Sequence, residues 1–108
     1  MWVNPMSDAQ GTQDEEKKRL HAVVEGRVQG VGFRYFVVDQ ASRLGVTGWV
    51  CNRWDGSVEV TVEGELSKLN KLLAALYQGP RGSYVSGVNV QWQAASGEFG
   101  GFQVRMTS

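Results

Sequence analysis

Apolar residues recur along the chain with two different periods, one typical of helices and one typical of strands. A first helical stripe has apolar residues at i, i+3, i+4, i+8 and i+11, namely Phe33, Phe36, Val37, Ala41 and Leu44. A second stripe, made of leucines, covers residues 66–76 and ends before Gly79-Pro80. Each spacing places its apolar residues on one side of an α-helix, so the sequence predicts two amphipathic helices that pack against a core.

Five other segments have the composition or the alternation of β-strands. They are the valine-rich segment 20–28, the segments 46–53 and 57–63 on either side of a turn at Trp54-Asp55-Gly56, and the alternating segments 88–92 and 102–106. Within 57–63, valines alternate with Glu59, Thr61 and Glu63, which predicts one buried face and one face in water. The predicted order is β-α-β-β-α-β with an additional C-terminal strand.

This order of elements predicts the fold class. Two helices with one apolar face each can be buried on the same face of a single sheet, so we expect an α+β, two-layer, ferredoxin-like sandwich with a mainly antiparallel sheet. The folded domain is expected to cover residues 20–108. Residues 1–19 are polar and show no periodicity, which favours a disordered N-terminal extension. Met1–Pro5 have the character of an addition before a start at Met6.

Composition restricts the class of protein further. The 108 residues include 11 basic and 11 acidic side chains, a balance that argues against a general nucleic-acid or membrane binder. No apolar run is long enough to span a bilayer, and the N-terminus lacks the apolar core of a secretory leader. The single cysteine, Cys51, has no partner for an internal disulfide. We therefore expect a cytoplasmic monomer.

A loop with two glycines joins the first predicted strand to the first predicted helix. This glycine loop (residues 29–34) consists of Gln29, Gly30, Val31, Gly32, Phe33 and Arg34. Glycines allow backbone N–H groups to turn toward a ligand, and a helix N-terminus adds the positive end of a dipole. Arg34 adds a planar, permanently charged fork that matches a phosphate, although its charge is unfavourable at a helix N-terminus without an anion. The loop is therefore predicted to bind phosphate.

Two segments resemble the signatures of the acylphosphatase family. They are residues 26–34, with the sequence GRVQGVGFR, and residues 48–59, with the sequence GWVCNRWDGSVE. Weaker similarity extends over roughly residues 21–108. The resemblance implies a small cytosolic enzyme that hydrolyses acyl phosphates, the mixed anhydrides of carboxylic and phosphoric acids, without metal or other cofactor. It also implies that Arg34 binds the phosphate, that Asn52 orients the attacking water, and that phosphate or sulfate can bind as product-like ligands.

The residue inventory disfavours other hydrolytic mechanisms. One histidine, His21, and one cysteine cannot build a zinc or two-metal centre. Cys51 is followed six positions later by Ser57, where a cysteine phosphoenzyme of the Cys-x5-Arg type needs an arginine. A serine at a strained strand-to-helix elbow, as in a Ser-His-Asp triad, is likewise not evident.

Two other functions fit part of the pattern. Residues 29–36 loosely resemble the glycine-aromatic run of the RNA-recognition motif, which shares a ferredoxin-like plan. That run belongs on the third strand of the motif but follows the first strand here, and the neutral net charge gives no electrostatic attraction for RNA. The second alternative is a module that binds acyl or carbamoyl phosphate without hydrolysis.

Asn52 also has a purely local interpretation, because asparagine is common beside hairpin turns.

Overall fold

The computed structural model describes residues 16–108, which form five strands and two helices. The elements are β1 (Lys17–Arg27), α1 (Phe33–Leu44), β2 (Thr47–Asn52), β3 (Val58–Glu65), α2 (Leu66–Gln78), β4 (Tyr84–Ala94) and β5 (Phe102–Val104). The predicted order and the two-layer α+β class are confirmed. Within residues 16–108, no helix is long and apolar enough to cross a membrane.

The five strands form one sheet in the order β4-β1-β3-β2-β5. β1 is antiparallel to β3 and β4, β2 is antiparallel to β3, and β2 is parallel to β5. Because β1 and β2 both run antiparallel to β3, they run parallel to each other. Their C-terminal ends therefore lie at the same end of the sheet, which is where the glycine loop and Asn52 occur.

The core lies between one face of the sheet and the two helices. Alternate residues of the strands and the apolar stripes of both helices are buried in it, including Leu20, Ala22, Val24, Phe33, Val37, Ala41, Val58, Val60, Val62, Leu69, Leu72 and Leu76. The periods of the sequence thus correctly identify the buried side of each element. Burial of these apolar side chains is the main favourable contribution to folding.

The strand bounds differ from the prediction, most of all at the start of β1 and in β4. β1 begins at Lys17, so Lys17–Arg19, which were assigned to the N-terminal extension, pair with β3. β4 covers Tyr84–Ala94, because its backbone pairs with β1 beyond the stretch in which side chains alternate. β5 ends at Val104 rather than at residue 106. The predictions for residues 1–15, including an added Met1–Pro5, lie outside the described residues.

The face of β3 away from the helices was predicted to be exposed to water, but part of it is buried. Thr61 is only 4% exposed and Glu63 only 5% exposed. The Glu63 carboxylate accepts hydrogen bonds from Arg19 Nε (2.7 Å), Ser96 N–H (2.8 Å), Ser96 Oγ (2.9 Å) and Gly97 N–H (2.9 Å). The segment between β4 and β5 therefore folds back over Glu63. The alternation of apolar and polar residues in β3 distinguishes the two faces of the strand. It cannot indicate that a segment distant in the sequence covers one of these faces.

These contacts control the ionisation of Glu63. Burial alone would raise the pKa of its carboxyl, but the hydrogen bonds from Ser96, Gly97 and Arg19 outweigh this effect and lower the pKa from 4.5 to about 2. A carboxylate with a lowered pKa stabilises the fold above its unfolded pKa, and the contribution is lost as the pH falls toward the folded value. The relevant window for Glu63 therefore extends from about pH 4.5 down to about pH 2.

We predict that Glu63→Gln lowers the free energy of unfolding at neutral pH by on the order of 2–3 kcal/mol. The substitution should also flatten the pH dependence of this free energy between about pH 4.5 and about pH 2. The amide replaces one acceptor oxygen by a donor that faces other donors. Urea unfolding at several pH values measures both effects. Asp39→Asn, which removes only the exposed i,i+4 pair with Arg43, is the matched control. Equal pH profiles for wild type and Glu63→Gln would contradict the prediction.

Candidate active site

The glycine loop has a backbone conformation that requires its two glycines. Gly30 has φ of 76° and Gly32 has φ of 78°, both in the left-handed region that other residues rarely adopt. A Cβ atom at either position would meet nothing within 4 Å. The glycines are therefore needed for the direction of the chain and not for close packing. The same geometry leaves open space beside the loop.

The N–H groups of residues 30–34 have no hydrogen-bond acceptor within the described part of the chain. The first backbone bond at this end of α1 runs from Phe36 N–H to Gly32 O, over 3.0 Å. Gly32 provides no side-chain cap, and the first turn of α1 contains no acidic residue. Unpaired N–H groups and the positive end of the helix dipole are the two features of an anion site at a helix N-terminus.

Two side chains anchor this loop to the core. Phe33 is only 2% exposed, and Val31 is half-buried and packs against the core cluster. These residues can contribute only their backbone groups to a ligand. The predicted role of the loop as a ring of main-chain donors is thus compatible with the positions of its apolar side chains.

Arg34, the second residue of α1, is half-buried. Its guanidinium forms no ion pair or hydrogen bond with any of residues 16–108. Arg19 and Arg43, by contrast, are paired with carboxylates. Arg34 therefore keeps all five of its N–H donors for another partner, and the planar guanidinium is suited to the paired oxygens of a phosphate.

Asn52, the last residue of β2, is half-buried. Its backbone is fixed on both sides, because it pairs with Val58 of β3 and its carbonyl accepts a hydrogen bond from Ser108 N–H (3.1 Å). The side-chain amide has no partner among the described residues. A side chain that is free while its backbone is fixed is available to bind a ligand or a water molecule.

The local interpretation of Asn52 as a turn former is not supported. The β2–β3 turn (residues 53–57) is held by Asp55, whose Oδ1 accepts hydrogen bonds from Ser57 N–H (3.0 Å) and Ser57 Oγ (2.6 Å). The hydrogen bond from the Ser57 hydroxyl is also the main reason that the pKa of the Asp55 carboxyl is lowered. Asp55 thus performs the function that asparagine often has beside a turn.

Gln29 uses its side chain differently from the rest of the glycine loop. Its Nε2 donates to Arg53 O (2.8 Å) and to Ser57 O (2.9 Å), both in the β2–β3 turn. The loop is therefore bound directly to the residue that follows Asn52. The sequence placed Gln29 in the phosphate loop but gave no sign of these bonds, because their acceptors are backbone carbonyls.

Asn52 also has a neighbour that the sequence did not indicate. Residues 105–108 continue along β2 after β5 ends, with hydrogen bonds from Arg105 N–H to Val50 O (2.8 Å) and from Trp54 N–H to Ser108 O (3.0 Å). Thr107 and Ser108 have no apolar alternation that could predict this pairing. The segment fixes the backbone on both sides of Asn52.

The two other residues considered in the sequence lie apart from the glycine loop. His21 lies on β1, with its Nε2 2.7 Å from Oε2 of Glu59. Cys51 is a buried free cysteine with its Sγ 3.6 Å from Ser108 Oγ. Within residues 16–108, no three histidine, cysteine, aspartate or glutamate side chains form a cluster suited to a metal ion.

Fold and site together define a class: a small two-layer α/β sandwich with a glycine loop between its first strand and first helix. The sequence profile of the acylphosphatase family matches residues 20–104. An acylphosphatase of Pelotomaculum thermopropionicum is 50% identical over 88 residues, which are 82% of this chain and 96% of the relative. The crystal structure of an acylphosphatase from Bacillus subtilis matches with a TM-score of 0.79 and 36% identity, over 82% of this chain and 98% of that one.

A larger protein also contains this fold. The structure of full-length HypF in its phosphate- and nucleotide-bound form matches with a TM-score of 0.77 and 26% identity, over 85% of this chain but only 12% of HypF. The profile match and the identity to the Pelotomaculum relative are decisive: the chain belongs to the acylphosphatase family. Its activity is accordingly the hydrolysis of acyl phosphates.

Proposed function

We propose that the protein hydrolyses acyl phosphates by in-line attack of water on a phosphoryl group held by the glycine loop and Arg34. The observation that carries this mechanism is that, among residues 16–108, the N–H groups of residues 30–34 have no acceptor and the neighbouring Arg34 has no carboxylate partner. A dianionic group bound there would accept charge-assisted hydrogen bonds, each contributing about 1.5–3 kcal/mol. Bonds that tighten as charge redistributes in the transition state raise the rate.

The chemistry of the substrate fits this set of residues. Water oxygen forms a bond to phosphorus while the bond between phosphorus and the acyl oxygen breaks, and the acyl oxygen leaves with the electron pair as a carboxylate. A carboxylate is a good leaving group, so the site does not need a strong general acid. Positioning and charge stabilisation are the dominant contributions to phosphoryl transfer, and backbone donors with one arginine can provide both.

In this mechanism Asn52 orients the attacking water. Its amide oxygen can accept a hydrogen bond from water, and its NH₂ group can donate to a phosphate oxygen. An amide is too weak a base to remove the proton of water, so an oxygen of the bound phosphoryl group receives that proton. The products are a carboxylate and inorganic phosphate.

We further propose that the protein acts as a cytoplasmic monomer without nucleic-acid partners, and that the catalytic domain expected at residues 20–108 also includes Lys17–Arg19 of β1. The buried free thiol of Cys51 and the balanced charge support this proposal. A non-catalytic module of the kind found within a longer chain is less well supported. The chain covers 96% of a standalone relative at 50% identity, compared with 12% of HypF at 26%.

The test of function is hydrolysis of benzoyl phosphate. We expect release of benzoate and phosphate at the same rate with and without excess EDTA. In ¹⁸O-labelled water the label should enter phosphate, because the attack is on phosphorus. Loss of activity in EDTA, or label in benzoate, would contradict the mechanism. Salt-sensitive binding of a labelled RNA oligonucleotide without hydrolysis would favour the RNA-binding alternative.

For Arg34→Lys we expect loss of most of the activity, with weaker inhibition by inorganic phosphate. Lysine keeps the charge but offers a compact ammonium in place of the fork with two parallel donors. Steady-state kinetics with phosphate as a competitive inhibitor measure both effects. Arg43→Lys, in the exposed last turn of α1, is the control and should have wild-type kinetics. Full activity of Arg34→Lys would show that only the charge matters.

Asn52→Ala should lower kcat by about 10²-fold or more while inorganic phosphate still binds, as loss of a positioning group does. Single-turnover hydrolysis and phosphate binding by calorimetry separate the two quantities. Asn70→Ala, at an exposed position of α2, serves as the control. Unchanged turnover in Asn52→Ala would leave this residue only a structural role at the end of β2.

A further inference from the structure

We propose that Gln29 is a positioning residue, which holds the glycine loop and Asn52 in the relative placement that attack on phosphorus requires. This inference rests on the proposed function of Arg34 and Asn52. It assigns to Gln29 a role different from that of a phosphate ligand, although Gln29 belongs to the loop that would bind the phosphate.

The Gln29 side chain connects the glycine loop to both ends of the β2–β3 turn, at Arg53 after β2 and at Ser57 before β3. β3 lies between β1, which leads into the glycine loop, and β2, which ends at Asn52. Within residues 16–108, the bonds from Gln29 Nε2 to Arg53 O and Ser57 O are the only hydrogen bonds between residues 29–34 and residues 52–57. The two N–H bonds of the amide are thus both directed at the turn, and neither is left to bind a phosphate.

The β2–β3 turn does not need Gln29 in order to form. Arg53 N–H donates to Ser57 O (2.9 Å), and Gly56 N–H donates to Arg53 O (3.0 Å), so each carbonyl already has a partner within the turn. Gln29 binds the second lone pair of each oxygen. Its bonds therefore add little to the turn itself and mainly fix the distance between the turn and the glycine loop.

Both ends of this connection are rigidly placed. Val28, immediately before Gln29, is 1% exposed. On the other side, Arg53 follows Asn52 directly, and the bond to Arg53 O holds the peptide group between Arg53 and Trp54, one residue beyond Asn52. Loss of the Gln29 bonds would leave only the partly exposed stretch between Val28 and Phe33 free to shift relative to Asn52, and it would remove no group that binds phosphate.

This placement has a kinetic consequence. All proposed phosphate ligands, the N–H groups of residues 30–34 and the Arg34 guanidinium, lie on one side of the Gln29 connection. The proposed water ligand, Asn52, lies on the other side. A small displacement between the two sides would misalign water and phosphorus and lower kcat, while the affinity for phosphate would be preserved.

Gln29→Met is the sharpest test, because methionine has a similar length and no charge but cannot donate a hydrogen bond. We expect kcat for benzoyl phosphate to fall by about tenfold, with the phosphate dissociation constant changed by less than about twofold. In an Asn52→Ala background the same substitution should change kcat by less than about twofold, because the group to be positioned is already missing. Gln91→Met, at an exposed position of β4, is the matched control.

The outcomes distinguish this inference from the proposed function. If wild type does not hydrolyse benzoyl phosphate, the proposed function fails. If wild type is active but Gln29→Met weakens phosphate binding as much as it lowers kcat, Gln29 is part of the phosphate site and the inference is wrong. An equal loss of kcat with and without Asn52 would also overturn it. So would a Gln29→Met protein that no longer unfolds cooperatively on heating, since turn and loop would then depend on Gln29 to fold.

Discussion

The site depends on backbone donors that remain unpaired in a fixed position. N–H groups in a folded protein normally find an acceptor, and leaving them without one is unfavourable unless water or a ligand supplies it. Here the N–H groups of residues 30–34 have no acceptor in the part of the chain that the structure describes, because Gly30 and Gly32 adopt left-handed conformations. The core holds the loop from both sides, through Val28 before it and Phe33 at its end. The donors are therefore arranged before an anion arrives, which reduces the cost of binding it.

An arginine and backbone N–H groups lie together at two places, around Glu63 and around Arg34, but they bind a carboxylate only at the first. Around Glu63, a carboxylate is surrounded by Arg19 and by donors from Ser96 and Gly97, and the pKa of about 2 reflects how fully its oxygens are bound. Around Arg34, a cation and several N–H groups have no carboxylate partner within the described residues. The first cluster connects the β4–β5 segment to the sheet and stabilises the fold. The second cluster has unpaired donors that an external anion would bind in the proposed function, which is the physical difference between a structural cluster and a proposed binding site.

Much of this arrangement could be predicted from the sequence, because it is local. The helical stripes, the valine alternation and the strand-loop-helix order of the glycine loop all concern residues close together in the chain, and the structure confirms their elements. The bonds of Gln29 to Arg53 and Ser57, the cover over Glu63 and the pairing of Ser108 with Asn52 join residues at least 24 positions apart. Their acceptors or donors are mostly backbone atoms, which leave no mark on residue type. These long-range contacts could therefore not be read from periodicity or motif.

The topology brings together the two separate elements that the proposed mechanism uses. Neighbouring strands lie roughly 5 Å apart, so β1 and β2, with β3 between them, end roughly 10 Å apart at the same end of the sheet. In the proposed mechanism, the phosphoryl group lies between these two ends and is reached from both sides. Binding can therefore be assigned to the loop after β1 and steering of water to the end of β2. Such a division requires a connection across the gap, and the hydrogen bonds of the Gln29 side chain form one directly.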